Sequence, residues 1–189
     1  APVGLITEVP YVLAVKADSP AQRAKDLLPS GANRELTVSH AQFDVQLKLM
    51  SQAMAVPVLG IPYQGGAQAI TAVLSGEVPT VFAGMSAVAT LVNGGQLRLV
   101  GVTSSRRINA FPQVPTFVEQ GYPEFVTTGW MSLLAPKGTP EPVIARLRGE
   151  IRRVQAMPEV RERINAASSL SRGRKASSSS SPSASTSAG

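Results

Sequence analysis

Short apolar runs alternate along this chain with segments of helical spacing, and this alternation constrains the fold more than any other sequence feature. Strand-type runs occur at residues 11–15, 36–39, 56–63, 80–83, 97–103 and 127–135. Apolar residues of one helical face recur four, three and four residues apart at Phe43, Leu47, Met50 and Met54. Further helices are predicted at 65–74, 86–92, 140–155 and 158–164. Strands joined by helical crossovers of this length predict a mainly parallel sheet with helices on both sides.

Two capping signatures predict additional helix starts. Ser19 is followed by proline and has Gln22 three residues on, which is the pattern of a helix amino terminus. We therefore predict a helix from Ser19 that ends by Pro29. Thr116 and Glu119 have the same spacing and predict a second cap, followed by a helix of one or two turns.

Charge and composition exclude several classes of protein. Cysteine is absent, which removes disulfide frameworks, thiolate zinc sites and cysteine nucleophiles. The formal net charge of +6 arises from residues 137–189, where ten basic side chains outnumber four acidic ones, whereas residues 1–136 carry eight of each. Residues 78–97 carry no charge, but Pro79, Gly84 and an Asn-Gly-Gly sequence interrupt them. A buried strand and helix explain this run better than a membrane span does.

The carboxyl-terminal segment 168–189 is half serine, with 11 serines in 22 residues. Such a segment buries too little apolar surface to offset its ordering entropy, so we predict that it is disordered. It contains the basic cluster Arg172-Gly173-Arg174-Lys175, which is compatible with nucleic-acid contact. A solvated tail is the simpler interpretation, and we expect no nucleic-acid partner.

No catalytic or metal-binding pattern is present in the sequence. The phosphate-binding P-loop, the G-x-S-x-G elbow, the H-E-x-x-H zinc motif and the dinucleotide fingerprint are all missing. Acidic residues fall in different predicted elements, at Asp44, Glu77, Glu119 and Glu124, and His40 is the single histidine. We therefore predict a protein that is not an enzyme, with no catalytic residues and no metal or other cofactor.

The chemistry that remains is the binding of an anion by backbone N–H groups. In a sheet of this kind, ligands bind where the carboxyl ends of strands meet the amino termini of helices. The loops at such junctions are 39–44, 62–67 and 84–86. Gly65 and Gly66 either permit close approach of a ligand or serve a turn of positive φ. His40 and Tyr63 offer polar contacts there, although a plain loop histidine and a core tyrosine explain them as well.

Six motifs follow one another in the order in which they occur in one protein family. They are Pro62-Tyr63-Gln64-Gly65-Gly66-Ala67-Gln68-Ala69, Ser75-Gly76-Glu77-Val78, Gly95-Gln96-Leu97-Arg98 with Val102-Thr103-Ser104, Pro112-Gln113-Val114-Pro115-Thr116, Ala135-Pro136 with Gly138-Thr139-Pro140, and Met157-Pro158-Glu159-Val160-Arg161. No single motif is specific, but their order is. Together they resemble the solute-binding receptors of tripartite tricarboxylate transporters, also called Bug receptors.

This resemblance implies an α/β fold of the periplasmic-binding-protein-like type II, with one near-complete lobe and part of a second lobe. It implies that residues 1–13 and 127–167 form the partial first lobe, that 14–126 form the second lobe, and that 168–189 are a tail. Family members are periplasmic proteins that close over a small organic anion, commonly a carboxylate. They pass it to a membrane permease, and the resemblance implies the same two partners here.

The resemblance also implies a ligand site in which Ser39, Tyr63 and Ser86 add hydrogen bonds to those of the backbone. The predicted ligand-binding residues are Ser39, His40, Gln42, Tyr63, Gly65, Gly66, Met85 and Ser86.

The sequence departs from the family pattern at several positions. The opening strands of the first lobe and a Pro-Gly-Gly ligand loop have no counterpart before Ala1, so we expect a truncation at the amino terminus. Phe43 stands where a small glycine is expected, Gln64 replaces a lysine and Pro79 replaces an aspartate. The pattern stops after Ala166, where the atypical tail begins. Two other functions stay open, a ligand-sensing domain of a transcription regulator and a receptor remnant without function.

Overall fold

The computed structural model describes residues 1–28 and 35–162 of the chain. Strands in this part are β1 (Pro2–Lys16), β2 (Leu36–His40), β3 (Val58–Pro62), β4 (Thr80–Gly84), β5 (Leu97–Val102) and β6 (Thr128–Leu134). Its longer helices are α1 (Asp44–Met54), α2 (Gly66–Leu74), α3 (Met85–Asn93) and α4 (Glu141–Ala156), and residues 158–162 are helical as well. No helix within the two described ranges is both long and apolar enough to cross a membrane. The segment 168–189, for which we predict disorder, lies outside them.

Five strands form the main sheet in the order β3-β2-β4-β1-β5. β2 pairs in parallel with β3 and β4, whereas β1 pairs antiparallel with β4 and β5. Four of the five strands therefore run in one direction, as predicted, and β1 alone runs against them, which the sequence did not indicate. An apolar run predicts a buried strand but not its direction.

The strand β1 also belongs to a second structure. Its first half, from Pro2 to Pro10, pairs antiparallel with β6 to form a two-stranded ribbon. The helix α4 packs on this ribbon, where Arg148 Nη2 donates to the carbonyl oxygen of Pro2 at 3.0 Å and Gln155 Nε2 donates to that of Ile6 at 2.8 Å. The ribbon and α4 thus form a small unit beside the main sheet.

Thr103 joins the two places where the chain crosses between the ribbon and the main sheet. Its side chain is fully buried. Its Oγ1 accepts the N–H of Tyr11 at 3.1 Å and lies 2.5 Å from the carbonyl oxygen of Thr127, to which its hydroxyl donates. The backbone N–H of Thr103 donates to the carbonyl of Tyr11, and the N–H of Thr127 donates to the carbonyl of Thr103. One residue therefore fixes both crossings to each other.

Both faces of the main sheet are covered by helices, as predicted. On one face, Val12 and Ala14 of β1 pack with residues of α2 and α3. On the other face, Leu13 and Val15 pack with residues of α1 and with aromatic residues of the segment 117–125. Because successive side chains of a strand point to opposite faces, β1 contributes to both cores. All four of these side chains are fully buried.

The cap predicted at Thr116 is confirmed. The N–H of Glu119 donates to Thr116 Oγ1 at 3.0 Å, and the N–H of Thr116 donates to Glu119 Oε2 at 2.8 Å. Hydrogen-bonded turns follow this cap instead of the regular helix that we predicted.

The helix predicted from Ser19 is wrong, because only a 3-10 turn forms at Ala24–Leu27. The guanidinium of Arg98 on β5 donates to the carbonyl oxygens of Ser19 and Ala21. Those carbonyls are the acceptors that the first turn of an α-helix would need. A contact from a distant strand therefore overrides the local capping signature.

Candidate ligand-binding site

The carboxyl ends of three neighbouring strands lie at the same edge of the sheet, and a helix begins next to each of them. β3, β2 and β4 are adjacent and parallel. They lead into α2, α1 and α3, respectively. α1 covers one face of the sheet, whereas α2 and α3 cover the other. The crevice between these helix starts is the position at which open α/β sheets bind ligands.

None of these three helix starts has a side-chain cap. The N-cap residues are Phe43 for α1, Gly65 for α2 and Gly84 for α3, and none of their side chains bonds to the first turn. The first N–H groups of an α-helix have no acceptor within the helix. This edge therefore combines several backbone donors with the positive ends of three helix dipoles, which favours an anion.

The three helix starts differ in charge. α2 and α3 have no acidic residue in the first turn, whereas α1 begins with Asp44. A carboxylate in that position offsets the helix dipole and repels a bound anion. The most favourable place for an anion is therefore beside the starts of α2 and α3.

The structure removes one of the two interpretations of Gly65 and Gly66. Gly65 has a φ of −168°, an extended conformation that any residue adopts, and neither glycine has a positive φ. A Cβ atom built at either position would meet no atom within 4 Å. The interpretation as a turn of positive φ is wrong, and neither backbone conformation nor internal packing requires glycine here. Close approach of a ligand stays a prediction.

Two of the predicted ligand-binding residues use their side chains inside the core. Ser39 is fully buried, and its Oγ lies 2.8 Å from the carbonyl oxygen of Ala69 and 3.0 Å from that of Thr80. It thereby fastens α2 and β4 to β2. Met85 is also fully buried. Any contact that a ligand makes with Ser39 or Met85 in this conformation comes from the backbone.

The hydroxyl groups of Tyr63 and Ser86 have different surroundings. Tyr63 Oη donates to Glu77 Oε1 at 3.1 Å. Glu77 follows the carboxyl end of α2, so the phenol extends along α2 and away from its start. Reduced hydration and the hydrogen bond to Glu77 raise the pKa of the Tyr63 phenol above its ordinary value. Ser86, in the first turn of α3, is exposed and can donate to a ligand.

His40 and Gln42 lie in the turn between β2 and α1. The imidazole of His40 is 1% exposed, and its Nδ1 accepts the N–H of Phe43 at 3.1 Å. The ring lies against Gly60 of β3 and is directed along the flank of α1. Gln42 is exposed and has a φ of 63°, which residues other than glycine seldom adopt. The structure therefore brings Gly65, Gly66 and Ser86 to the crevice but directs the His40 ring elsewhere.

Two residues outside the predicted ligand-binding set also shape this site. Gly84 is the N-cap of α3 and lies in the predicted junction loop 84–86, between an apolar strand and a helix. Val9 of β1 comes within 3.9 Å of the position of a Cβ at Gly84, which brings the ribbon to the crevice. No local signal predicts that contact. Within the described ranges, no group of three His, Cys, Asp or Glu side chains could hold a metal ion.

A family profile described as the tripartite tricarboxylate transporter family receptor matches residues 1–169. The chain belongs to this receptor family. A relative within it is BugT of Bordetella pertussis, which is 32% identical over 156 residues, a stretch that covers 79% of this chain and 48% of BugT. This chain spans about half the length of the curated relatives that it matches.

Solved structures of the receptor family have the same fold. MatC from Rhodopseudomonas palustris, solved with bound malate, is 28% identical with a TM-score of 0.73, and the match covers 88% of this chain and 59% of MatC. The periplasmic binding protein BugD is 27% identical with a TM-score of 0.73, and the match covers 88% of this chain and 58% of BugD. These matches confirm the expected α/β fold of the periplasmic-binding-protein type.

Proposed function

We propose that this chain captures a small organic carboxylate as part of an extracytoplasmic receptor of a tripartite tricarboxylate-type transporter. The observation that carries the proposal is the convergence of three uncapped helix starts at one edge of the sheet. Membership of the receptor family supports it, as does the malate bound to MatC. BugD is a periplasmic binding protein, which supports a periplasmic location for this chain as well.

The carboxylate binds beside the starts of α2 and α3. Backbone N–H groups of the two first turns donate to its oxygens, and each hydrogen bond to a charged group contributes about 1.5–3 kcal/mol. Gly65 and Gly66 leave the space through which an oxygen reaches the backbone. Ser86 adds its hydroxyl from α3. Asp44 disfavours anionic groups on the side of α1, so the carboxylate lies toward α2 and α3.

We also propose that the chain is divided between the two lobes of the receptor, with the ribbon and α4 in the first lobe and the main sheet with its helices in the second. The hydrogen bonds of Thr103 to Tyr11 and Thr127 support crossings near these boundaries. Closure about such crossings encloses a ligand and excludes water. The closed receptor then delivers the carboxylate to the membrane permease of the transporter.

A thermal melt of the purified chain with millimolar mono-, di- and tricarboxylates tests the proposal. A ligand that binds only the folded chain stabilises it, by about 2.7 kcal/mol at a concentration of 100 times Kd. We expect the midpoint to rise with one class of acids and to stay unchanged with the matching neutral amides. A cooperative transition that none of the acids moves would contradict carboxylate capture. The absence of any cooperative transition would instead favour a receptor remnant.

A further inference from the structure

A cavity of about 270 Å³ lies on the flank of α1. We call it the lateral cavity, and it is bordered by His40, Asp44 and Ser51 on one side and by Val58 and Gly60 of β3 on the other. Ser51 lies two turns into α1, and Val58 is the first residue of β3. The lateral cavity therefore runs toward the amino end of β3, whereas the carboxylate site lies at the carboxyl ends of the strands.

His40 directs an N–H donor into the lateral cavity. Its Nδ1 accepts the N–H of Phe43 at 3.1 Å, so the ring proton is on Nε2. Among the described residues, Nε2 has no hydrogen-bond acceptor, because the nearest carboxylate oxygen, Asp44 Oδ1, is 3.8 Å away. The side chain is 1% exposed, so a ligand reaches this N–H from the cavity. An oxygen atom in the cavity would satisfy it.

Gly60 makes room for this arrangement. A Cβ at position 60 would lie 2.8 Å from His40 Nε2 and 2.9 Å from Leu47 Cδ1, which is closer than side chains pack. Gly60 does not have a positive φ, so its backbone conformation does not require glycine. The glycine is required by the imidazole and the Leu47 side chain that lie over it, and Gly60 itself lines the lateral cavity.

The lateral cavity has no net charge. The carboxylate of Asp44 and the ammonium of Lys48 both border it, and His40 is neutral in the tautomer that accepts from Phe43. Ser51 donates to the carbonyl oxygen of Val56 at 2.6 Å and keeps its own oxygen available as an acceptor. A net-neutral cavity with separate donors and acceptors favours a neutral hydroxylated ligand over a carboxylate.

We propose that the lateral cavity binds a small neutral polyhydroxylated molecule of polyol or monosaccharide size. A hydroxyl oxygen about 2.8 Å from both His40 Nε2 and Asp44 Oδ1 spans the gap between them, accepting from the first and donating to the second. Lys48 and Ser51 take neighbouring hydroxyl groups. The volume lies just below the usual range of ligand pockets, about 300–1,000 Å³, which limits the ligand to this size. The proposal is independent of the carboxylate site.

Because His40 is the single histidine of the chain, histidine-selective ¹⁵N labelling gives one imidazole to observe by NMR. Glycerol, xylitol and glucose are the probes, and malate is the anionic comparison. We expect a saturable shift of the Nε2–H resonance with at least one polyol or sugar and none with malate. Asp44→Asn, which keeps the shape of the side chain, is expected to weaken that binding about fivefold. Asp18→Asn, the same change at an exposed position outside the cavity, is expected to leave it unaltered.

Several results would overturn this proposal. One is a shift with malate but with none of the neutral probes, which would indicate an anion site. Others are the absence of a saturable shift in the parent chain and equal affinities of the parent and Asp44→Asn. Gly60→Ala forces the His40 imidazole and Leu47 to move and is expected to abolish the shift. If its thermal melt shows that it does not fold, the parent titration and Asp44→Asn decide the question.

Discussion

A carboxylate placed in the first turn of α2 is expected to stabilise that helix and at the same time to weaken its binding of an anion. Gly66 is the first residue of α2, and a Cβ there would meet no atom within 4 Å. The substitution Gly66→Asp therefore fits without a steric clash. Its added charge lies where the proposed carboxylate binds, so it competes with the ligand for the same helix dipole.

The two effects of Gly66→Asp have opposite signs. Two unit charges about 4 Å apart repel by about 1 kcal/mol in water and about 4 kcal/mol near a protein surface. Because Gly66 is only partly buried, we take the lower half of this range, and a repulsion of about 1–2 kcal/mol raises Kd about five- to thirtyfold. The same carboxylate stabilises the helix start by about 0.3–1 kcal/mol. Replacement of the glycine increases the stability of the helix by about 0.3 kcal/mol more.

The assay is a calorimetric titration with the acid that raises the thermal midpoint most, together with thermal melts of the unliganded chains. Gly66→Ser is the matched control, because it adds a polar side chain at the same position without a charge. We expect Gly66→Asp to melt higher than the parent and to bind more weakly than Gly66→Ser, which adds bulk without the charge. Unchanged affinity in a folded Gly66→Asp variant would refute the placement of the anion at α2. Equal losses in both variants would show that the loss is steric.

Three further predictions concern stability and association. Thr103→Val removes the hydroxyl that joins both chain crossings, and we expect a loss of about 1–3 kcal/mol in urea unfolding, restored largely by Thr103→Ser; an unchanged midpoint would show that this hydroxyl is dispensable. Hydrogen bonds from Arg107 and from a backbone N–H hold the pKa of Glu119 below its ordinary value of 4.5. The stabilisation that the Glu119 carboxylate gives the fold is therefore present above pH 4.5 and is lost as the pH falls through the lowered pKa. We therefore expect Glu119→Gln to melt below the parent at neutral pH and to converge with it in acid, whereas a constant difference would contradict the linkage. Trp130 and Leu134 on β6 are 68% and 66% exposed, and we expect them to drive self-association. Sedimentation at rising concentration should detect this association, and a Trp130→Lys, Leu134→Lys double variant should prevent it. A parent chain that stays monomeric would count against this.

Local sequence patterns were sufficient to predict most strands and helices of the described part. The run at 80–83 corresponds to β4, and the helical face from Phe43 to Met54 corresponds to α1. These elements are specified by apolar spacing over a few residues, which is present in the sequence itself. The direction of β1 is specified differently, by its pairing with β4 and β5, whose residues lie far along the chain. No pattern within β1 identifies those partners.

The failed helix at Ser19 shows how such distant contacts overrule a correct local signal. The capping pattern is present, yet Arg98 on β5 takes the carbonyl groups that the helix would use. Thr116 has the same spacing to its partner and keeps its cap, because Glu119 lies within reach and Arg107 holds its carboxylate in place. The two signatures have the same spacing in the sequence, but the fold brings different contacts to them.

The candidate site is harder to predict because its chemistry resides in the backbone. Two of the predicted polar side chains have other uses, since Ser39 fastens the core and the phenol of Tyr63 bonds to Glu77. More informative are three features that occur together at the start of α2: no side-chain cap, no acid in the first turn, and glycines that neither φ nor packing requires. The start of α1 differs, because it carries the acidic residue Asp44 in its first turn. Within this crevice, a single charge at Gly66 is therefore a sharper test of anion binding than the removal of any predicted side chain.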